Sequence, residues 1–207
     1  MDSFAKIKNI SADEIVLPFN FIFVAENYKR TAMTRIFLIG YMGAGKTTLG
    51  KAFAREMNLS FVDQDWYIEE RFHKTVQEIF AERGEQGFRE LERQMLHEIA
   101  EFEDVVISTG GGAPCFYDNM DFMNEKGDTV FLNVTPEVLF SRLKMASQNR
   151  PVLRGKSNEE LKAFIAKTLE KRAPFYSKAK YIFNADELED IYQIKSSINR
   201  LKELLGL

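Results

Sequence analysis

Gly40-Tyr41-Met42-Gly43-Ala44-Gly45-Lys46-Thr47 fits G-x-x-x-x-G-K-[ST] at every fixed position. The chemistry of that pattern is phosphate binding. Its glycines let backbone N–H groups close around phosphate oxygens, and the N-terminus of a following helix adds partial positive charge. Gly43, Ala44, Gly45, Lys46, Thr47 and Thr48 are therefore the candidates for the phosphates of a nucleotide. Lys46 can reach the β- and γ-phosphates, and the Thr47 hydroxyl can bind Mg²⁺.

A second group of candidates carries acid and base. Asp63 and Asp65 stand one residue apart, either available to a metal or to an acceptor hydroxyl. On an extended backbone they share a face; if a helix starts at once they diverge. The competing reading is that both only cap the next helix. Gly110, Gly111 and Gly112 offer backbone that a small ligand can approach closely, or simply a flexible turn. Arg89 and Arg172 are each undecided alone, since a helical Arg is usually a solvated ion pair. Trp66, beside the acids, is read as a pocket wall or as core.

These residues need a frame. Residues 35–39 form a short apolar run, β-branched and aromatic, suited to a buried parallel strand. After Thr48 a helical period follows through Leu49, Phe53 and Met57. Residues 59–62 read as a second strand ending at the acid pair. Thr75-Val76-Gln77-Glu78 is a capping box, Gly84 breaks the pattern, and residues 85–102 read as one long amphipathic helix. Residues 105–109, 129–134 and 181–183 read as three further strands. A helix opens at Pro136, another near Ser157, and the last carries Ile191 through Leu205. Alternation of strand and helix predicts an α/β fold: a five-stranded parallel sheet in the middle of three layers. Ligands then belong at the C-terminal strand ends, where the loop, the acids and the glycines converge. Strand three ends in Ser108-Thr109 and supplies no acid, so an acid near Mg²⁺ must come from Asp63 or Asp65. Residues 148–158, basic and punctuated by Pro and Gly, form an excursion between two helices.

The chain has 207 residues, enough for one full core, and a net charge of −3 that argues against a nucleic-acid footprint. One cysteine, Cys115, excludes an internal disulfide and suits a reducing compartment, so a cytoplasmic location is expected. The thiol, His73 and His97 are read as structural or surface groups. No apolar run approaches the roughly 18 residues of a bilayer span. Residues 1–32 lack a secretory pattern and precede Met33, a plausible alternative start, so they are expected to be a dispensable extension before a single domain at 33–207. An accessory strand or arm is the competing reading.

Taken together, the residues resemble the shikimate kinases, small P-loop proteins related to nucleoside-monophosphate kinases. The resemblance rests on the phosphate loop, Phe61-Val62-Asp63-Gln64-Asp65 with Ile68-Glu69, Ile79-Phe80, Gly84-Glu85-Gln86-Gly87-Phe88-Arg89 with Glu92, Gly110-Gly111-Gly112, Arg150-Pro151-Val152-Leu153 and Lys171-Arg172-Ala173-Pro174-Phe175-Tyr176. It covers about residues 34–184. It implies a P-loop kinase fold with a lid, and ATP-dependent phosphorylation of the 3-hydroxyl of shikimate in aromatic amino-acid synthesis. It implies that Asp65 holds the acceptor hydroxyls and takes the proton, and that Asp63 stands near Mg²⁺. Arg89, Arg172 and the Gly111 backbone become the shikimate contacts, with Phe80 and Phe88 as the apolar wall. Arg150 becomes the lid arginine over the phosphates. Arg142 stands one residue out of the spacing expected for an arginine on the adenine side. The acidic stretch 184–190 yields no adenine residue. A monomer is expected from the small size. The rivals are another small-metabolite kinase, such as a gluconate kinase, or a nucleotide switch; the latter should show Asn-Lys-x-Asp, which Asn124-Glu125-Lys126-Gly127-Asp128 does not fit.

Overall fold

Strand β1 (Arg35–Ile39) lies in the middle of the sheet, and its side chains alternate between two cores. The computed structural model describes residues 33–146 and 155–207. The expected extension at 1–32 and the heart of the expected lid, including Arg150, lie outside the described residues. The remaining elements are α1 (Lys46–Glu56), β2 (Ser60–Asp63), α2 (Gln64–Phe72), α3 (Val76–Ile99), β3 (Val105–Ser108), a 3₁₀ turn (Ala113–Cys115), α4 (Asn119–Lys126), β4 (Asp128–Asn133), α5 (Pro136–Ala146), α6 (Asn158–Tyr176), β5 (Tyr181–Asn184) and α7 (Ile191–Leu205). All five strands are parallel, as expected, and they lie in the order β2-β3-β1-β4-β5.

The strands bury both faces, so they read as apolar runs. Ile36 and Leu38 face a core closed by Leu49 and Phe53 of α1, Leu139 and Leu143 of α5, Leu161 and Ile165 of α6, and Ile198 and Leu201 of α7. Phe37 and Ile39 face the other way, onto Leu96 and Ile99 of α3 and Met120 and Met123 of α4. Phe53 has no exposed surface, and its burial contributes on the order of 1.5–3 kcal/mol. A smaller cluster of Ile68, Ile79, Phe88, Leu91 and Met95 joins α2 to α3.

The Thr75 capping box opens α3 and Gly84 breaks it, as expected: its φ of 68° and ψ of −177° are non-helical, and only glycine adopts them readily. The stretch after Gly84 ends at Ile99, short of the expected residue 102. Helix α4, between the glycines and β4, has no strong signal in sequence: eight residues with Met120 and Met123 as its buried apolar contacts.

Candidate active site

Register fixes the site. Asp63 pairs with Ser108, and Ser108 with Leu38, so the C-terminal ends of β2, β3 and β1 finish level. Strand β1 has β3 on one side and β4 on the other, and the connections leave in opposite directions, opening a crevice above it. The cavity there measures about 370 Å³. Gly43, Gly45, Lys46, Thr47 and Thr48 line one side, Asp63, Asp65, Thr109 and Gly111 another, and Arg142, Leu188 and Glu189 a third.

The phosphate loop takes its shape from glycine. Gly43 and Gly45 have φ of 80° and 92°, and Gly45 caps α1 without a side chain. A Cβ on Gly45 would stand 2.5 Å from Leu188 Cδ1. The first-turn N–H groups of α1 thus have no capping side chain, which is what a phosphate-binding helix end needs. Lys46 is nearly buried, and its Nζ donates to the carbonyls of Gly40 and Tyr41, each at 3.0 Å. That curl keeps the ammonium inside the loop.

Thr47 Oγ1 donates to Asp63 Oδ2 at 2.7 Å. Helix α2 starts at Gln64, so the two acids diverge. Asp63 does two things: one oxygen meets Thr47, and the other caps α2 by accepting from Trp66 N at 3.5 Å. A hydroxyl and a carboxylate oxygen together are hard donors that suit Mg²⁺ with phosphate and water completing its shell. Among the described residues no group of three or more His, Cys, Asp or Glu could hold a metal ion.

Asp65 points toward Gly110 and is exposed to the crevice. Desolvation pushes its carboxyl above the usual aspartate value, Asp63 pushes further, and Lys46 and Arg89 oppose. A Cβ on Gly110 would stand 2.9 Å from Asp65 Oδ1 and 2.8 Å from Glu92 Oε1.

The three glycines are each pinned by a different side chain. Gly110 N donates to Gln64 Oε1 at 3.1 Å. The Gly111 carbonyl accepts from Arg172 NH1 at 2.7 Å and from the Tyr176 hydroxyl at 2.6 Å. Gly112 lies against Arg89, where a Cβ would stand 2.9 Å from NH2. Arg89 pairs with the buried Glu92 at 2.7 Å, stacks 4.1 Å from the Phe116 ring, and leaves its own Nε buried without a hydrogen bond. Burial raises the Glu92 carboxyl, with Arg89 opposing. Burial also pushes the Tyr176 hydroxyl up to about 12, so it stays a protonated donor.

The structure thus gathers the phosphate loop, both acids, the glycines, Arg89 and Arg172. Phe88 is buried in the α2–α3 cluster with Phe80 packed against it, ring centres 5.6 Å apart, and Phe80 stays 39% exposed. Arg142 lines the cavity but is fully engaged: it donates to Gly43, Ala185 and Asp186 carbonyls and to Glu189. Trp66 is 60% exposed, so its reading as core is wrong; Asp63 caps its backbone and leaves the ring outside. His97 stacks on Phe122 at 3.8 Å, and Cys115 is half-buried. Sequence reasoning gave no role to Gln64, Leu188 or Glu189. The strand-end rule, applied to the stretch after β5, points to the last two.

Comparison with known proteins agrees with this geometry. A model of the family described as "Shikimate kinase" matches residues 42–202. The shikimate kinase of Bacteroides thetaiotaomicron is 74% identical over 175 residues, covering 84% of this chain and 100% of that protein. Its crystal structure superposes with a TM-score of 0.83 over 85% of this chain and 100% of the other. A shikimate kinase from Acinetobacter baumannii, solved in complex with shikimate, is 31% identical, with a TM-score of 0.72 over 84% of this chain and 94% of its own. A gluconate-type kinase or a nucleotide switch is not favoured by these matches. The chain belongs to the shikimate kinase family.

Proposed function

We propose that this chain transfers the γ-phosphoryl group of ATP to the 3-hydroxyl of shikimate, giving shikimate 3-phosphate and ADP for aromatic amino-acid synthesis. The observation that carries this reading is a cavity lined by both Lys46 and Asp65. Phosphoryl transfer depends on positioning and charge neutralisation more than on covalent help. The N–H groups of residues 43–48 and the Lys46 ammonium hold the β- and γ-phosphates. Thr47 and Asp63 hold Mg²⁺, which when bound offsets phosphate charge. Leu188 and Arg142 wall the nucleotide side.

On the acceptor side, Arg89 and Arg172 take the carboxylate through charge-assisted bonds, each worth roughly 1.5–3 kcal/mol net. The Gly111 backbone and the Phe80–Phe88 pair complete the pocket. Asp65 holds the 3-hydroxyl and accepts its proton as the oxygen bonds to the γ-phosphorus and the bond to the β-phosphate oxygen breaks. Its raised pKa makes it a stronger base than an ordinary aspartate. Arg150, outside the described residues, supplies further positive charge over the phosphates from the lid at about 148–158. We read the protein as a cytoplasmic monomer whose residues 1–32 are dispensable. None of the described helices is long and apolar enough to cross a membrane.

The test is ADP release by purified protein with Mg-ATP. Shikimate should stimulate it strongly, and gluconate or nucleoside monophosphates poorly. Release insensitive to shikimate refutes the reading. Deleting residues 1–32 should leave rate and melting temperature unchanged, and light scattering should give one chain's mass.

A further inference from the structure

Between the two acids sits a residue that ordinary acid-pair chemistry does not use. Gln64 is the first residue of α2 and has no exposed surface. Such a polar side chain persists in a core only when its hydrogen bonds are made. Gln64 makes one with each end. Its Nε2 donates to the Glu92 backbone carbonyl at 2.9 Å, and its Oε1 accepts from Gly110 N at 3.1 Å. The two partners fix the amide's orientation, since turning it over would set donor against donor.

The partners belong to different elements. Glu92 is one turn along α3 from Arg89 and ion-pairs with it. Gly110 opens the glycine loop and lies in contact range of both the Asp65 and Glu92 carboxylates. Gln64 therefore spans the gap between the helix that carries Arg89 and the loop that faces Asp65. Asp63 is held separately, by the β2–β3 ladder and by Thr47. The phosphate loop has its own supports, among them Arg142 on Gly43.

We propose that Gln64 is a positioning residue for the acceptor half of the site: it fixes the separation of Gly110 from the Arg89–Glu92 turn, and so sets affinity for a carboxylated, hydroxylated acceptor and not for the nucleotide. This rests on the ATP–shikimate reading given above.

The test is Gln64→Met, which keeps length and volume and removes both bonds. The KM for shikimate should rise roughly tenfold to a hundredfold, the cost of two ordinary hydrogen bonds, while the KM for ATP stays within about twofold. A merely structural role lowers the melting temperature and leaves both constants at parental values, because the molecules still folded bind normally. That result, or equal rises in both constants, overturns the proposal. Unmodified protein run alongside separates the two readings: if it fails to phosphorylate shikimate, the functional reading falls first. Should Gln64→Met not fold, amide exchange at Gly110 in the unmodified protein decides. Saturating shikimate should slow it more than a non-hydrolysable ATP analogue does, and equal slowing or none overturns the proposal.

Discussion

The Thr47 hydroxyl donates to Asp63 Oδ2 at 2.7 Å, tying the phosphate helix to the end of the second strand before any nucleotide arrives. A metal held by these oxygens would replace that hydrogen bond, so the pair is preset at short range. Asp63→Asn should raise the Mg²⁺ concentration for half-maximal rate by roughly tenfold or more. Metal-free ATP should bind about as before, as judged by calorimetry in EDTA. Unchanged Mg²⁺ dependence would leave Asp63 with only its capping role.

Asp65→Asn should separate activity from stability. Loss of a general base costs roughly 10²–10⁴ in rate, so kcat should fall by orders of magnitude while ATP still binds. Stability should move the other way. The folded-state pKa of Asp65 is raised, chiefly by desolvation. A carboxyl with a raised folded pKa stabilises fully below its unfolded pKa and loses that contribution as pH rises through the folded value. Above its folded value the charged Asp65 carries that cost, so there Asp65→Asn should melt higher. The gain should vanish in acid, below the ordinary aspartate range. Paired melting curves across pH check it, and a gain that does not grow with rising pH contradicts the assignment.

The loop and the strands were legible because their signals are local. Gly43 and Gly45 need positive φ, and the strands are apolar runs between turns. The acid pair was legible as a pair, but its division of labour turned on where α2 begins, a matter of one residue. Gln64 was not legible, because nothing in its type or spacing says that an amide between two acids faces inward. That follows only from the β2–β3 register and the packing of α3 over the glycine loop. Leu188 and Glu189 differ: they follow β5, and the strand-end rule carried past that strand finds them, although they meet Arg142 across 40-odd residues of chain.

Arg172 and Tyr176 share one acceptor, the Gly111 carbonyl, and should not be equivalent. Arg172→Ala removes a cation, and the KM for shikimate should rise tenfold to two-hundredfold on the scale of charge-assisted bonds. Tyr176→Phe keeps the ring that stacks on Phe131, 4.9 Å away, and leaves Arg172 on the carbonyl. It should lower stability by about 1 kcal/mol and change the KM for shikimate by less than about threefold. Denaturant melts with steady-state kinetics on both variants test this. Equal effects on shikimate and ATP from Arg172→Ala would mark a structural or phosphate role instead.

Two glycines offer a crossed test of the two halves. Gly45 has φ of 92°, and a Cβ there would meet Leu188 Cδ1 at 2.5 Å, so Gly45→Ala strains the backbone and crowds the nucleotide wall. ATP affinity should fall roughly tenfold to a hundredfold, the scale of backbone strain alone. Gly112 has φ of −94°, which any residue adopts, so Gly112→Ala acts only through space. Its Cβ would stand 2.9 Å from Arg89 NH2. Arg89 has little freedom to yield, being 14% exposed, paired to Glu92 and stacked on Phe116. Gly112→Ala should therefore weaken shikimate and spare ATP. Trp66, the sole tryptophan and exposed beside the acids, gives a fluorescence titration for each ligand. Loss of ATP binding in Gly112→Ala would show that the two halves are not separately built.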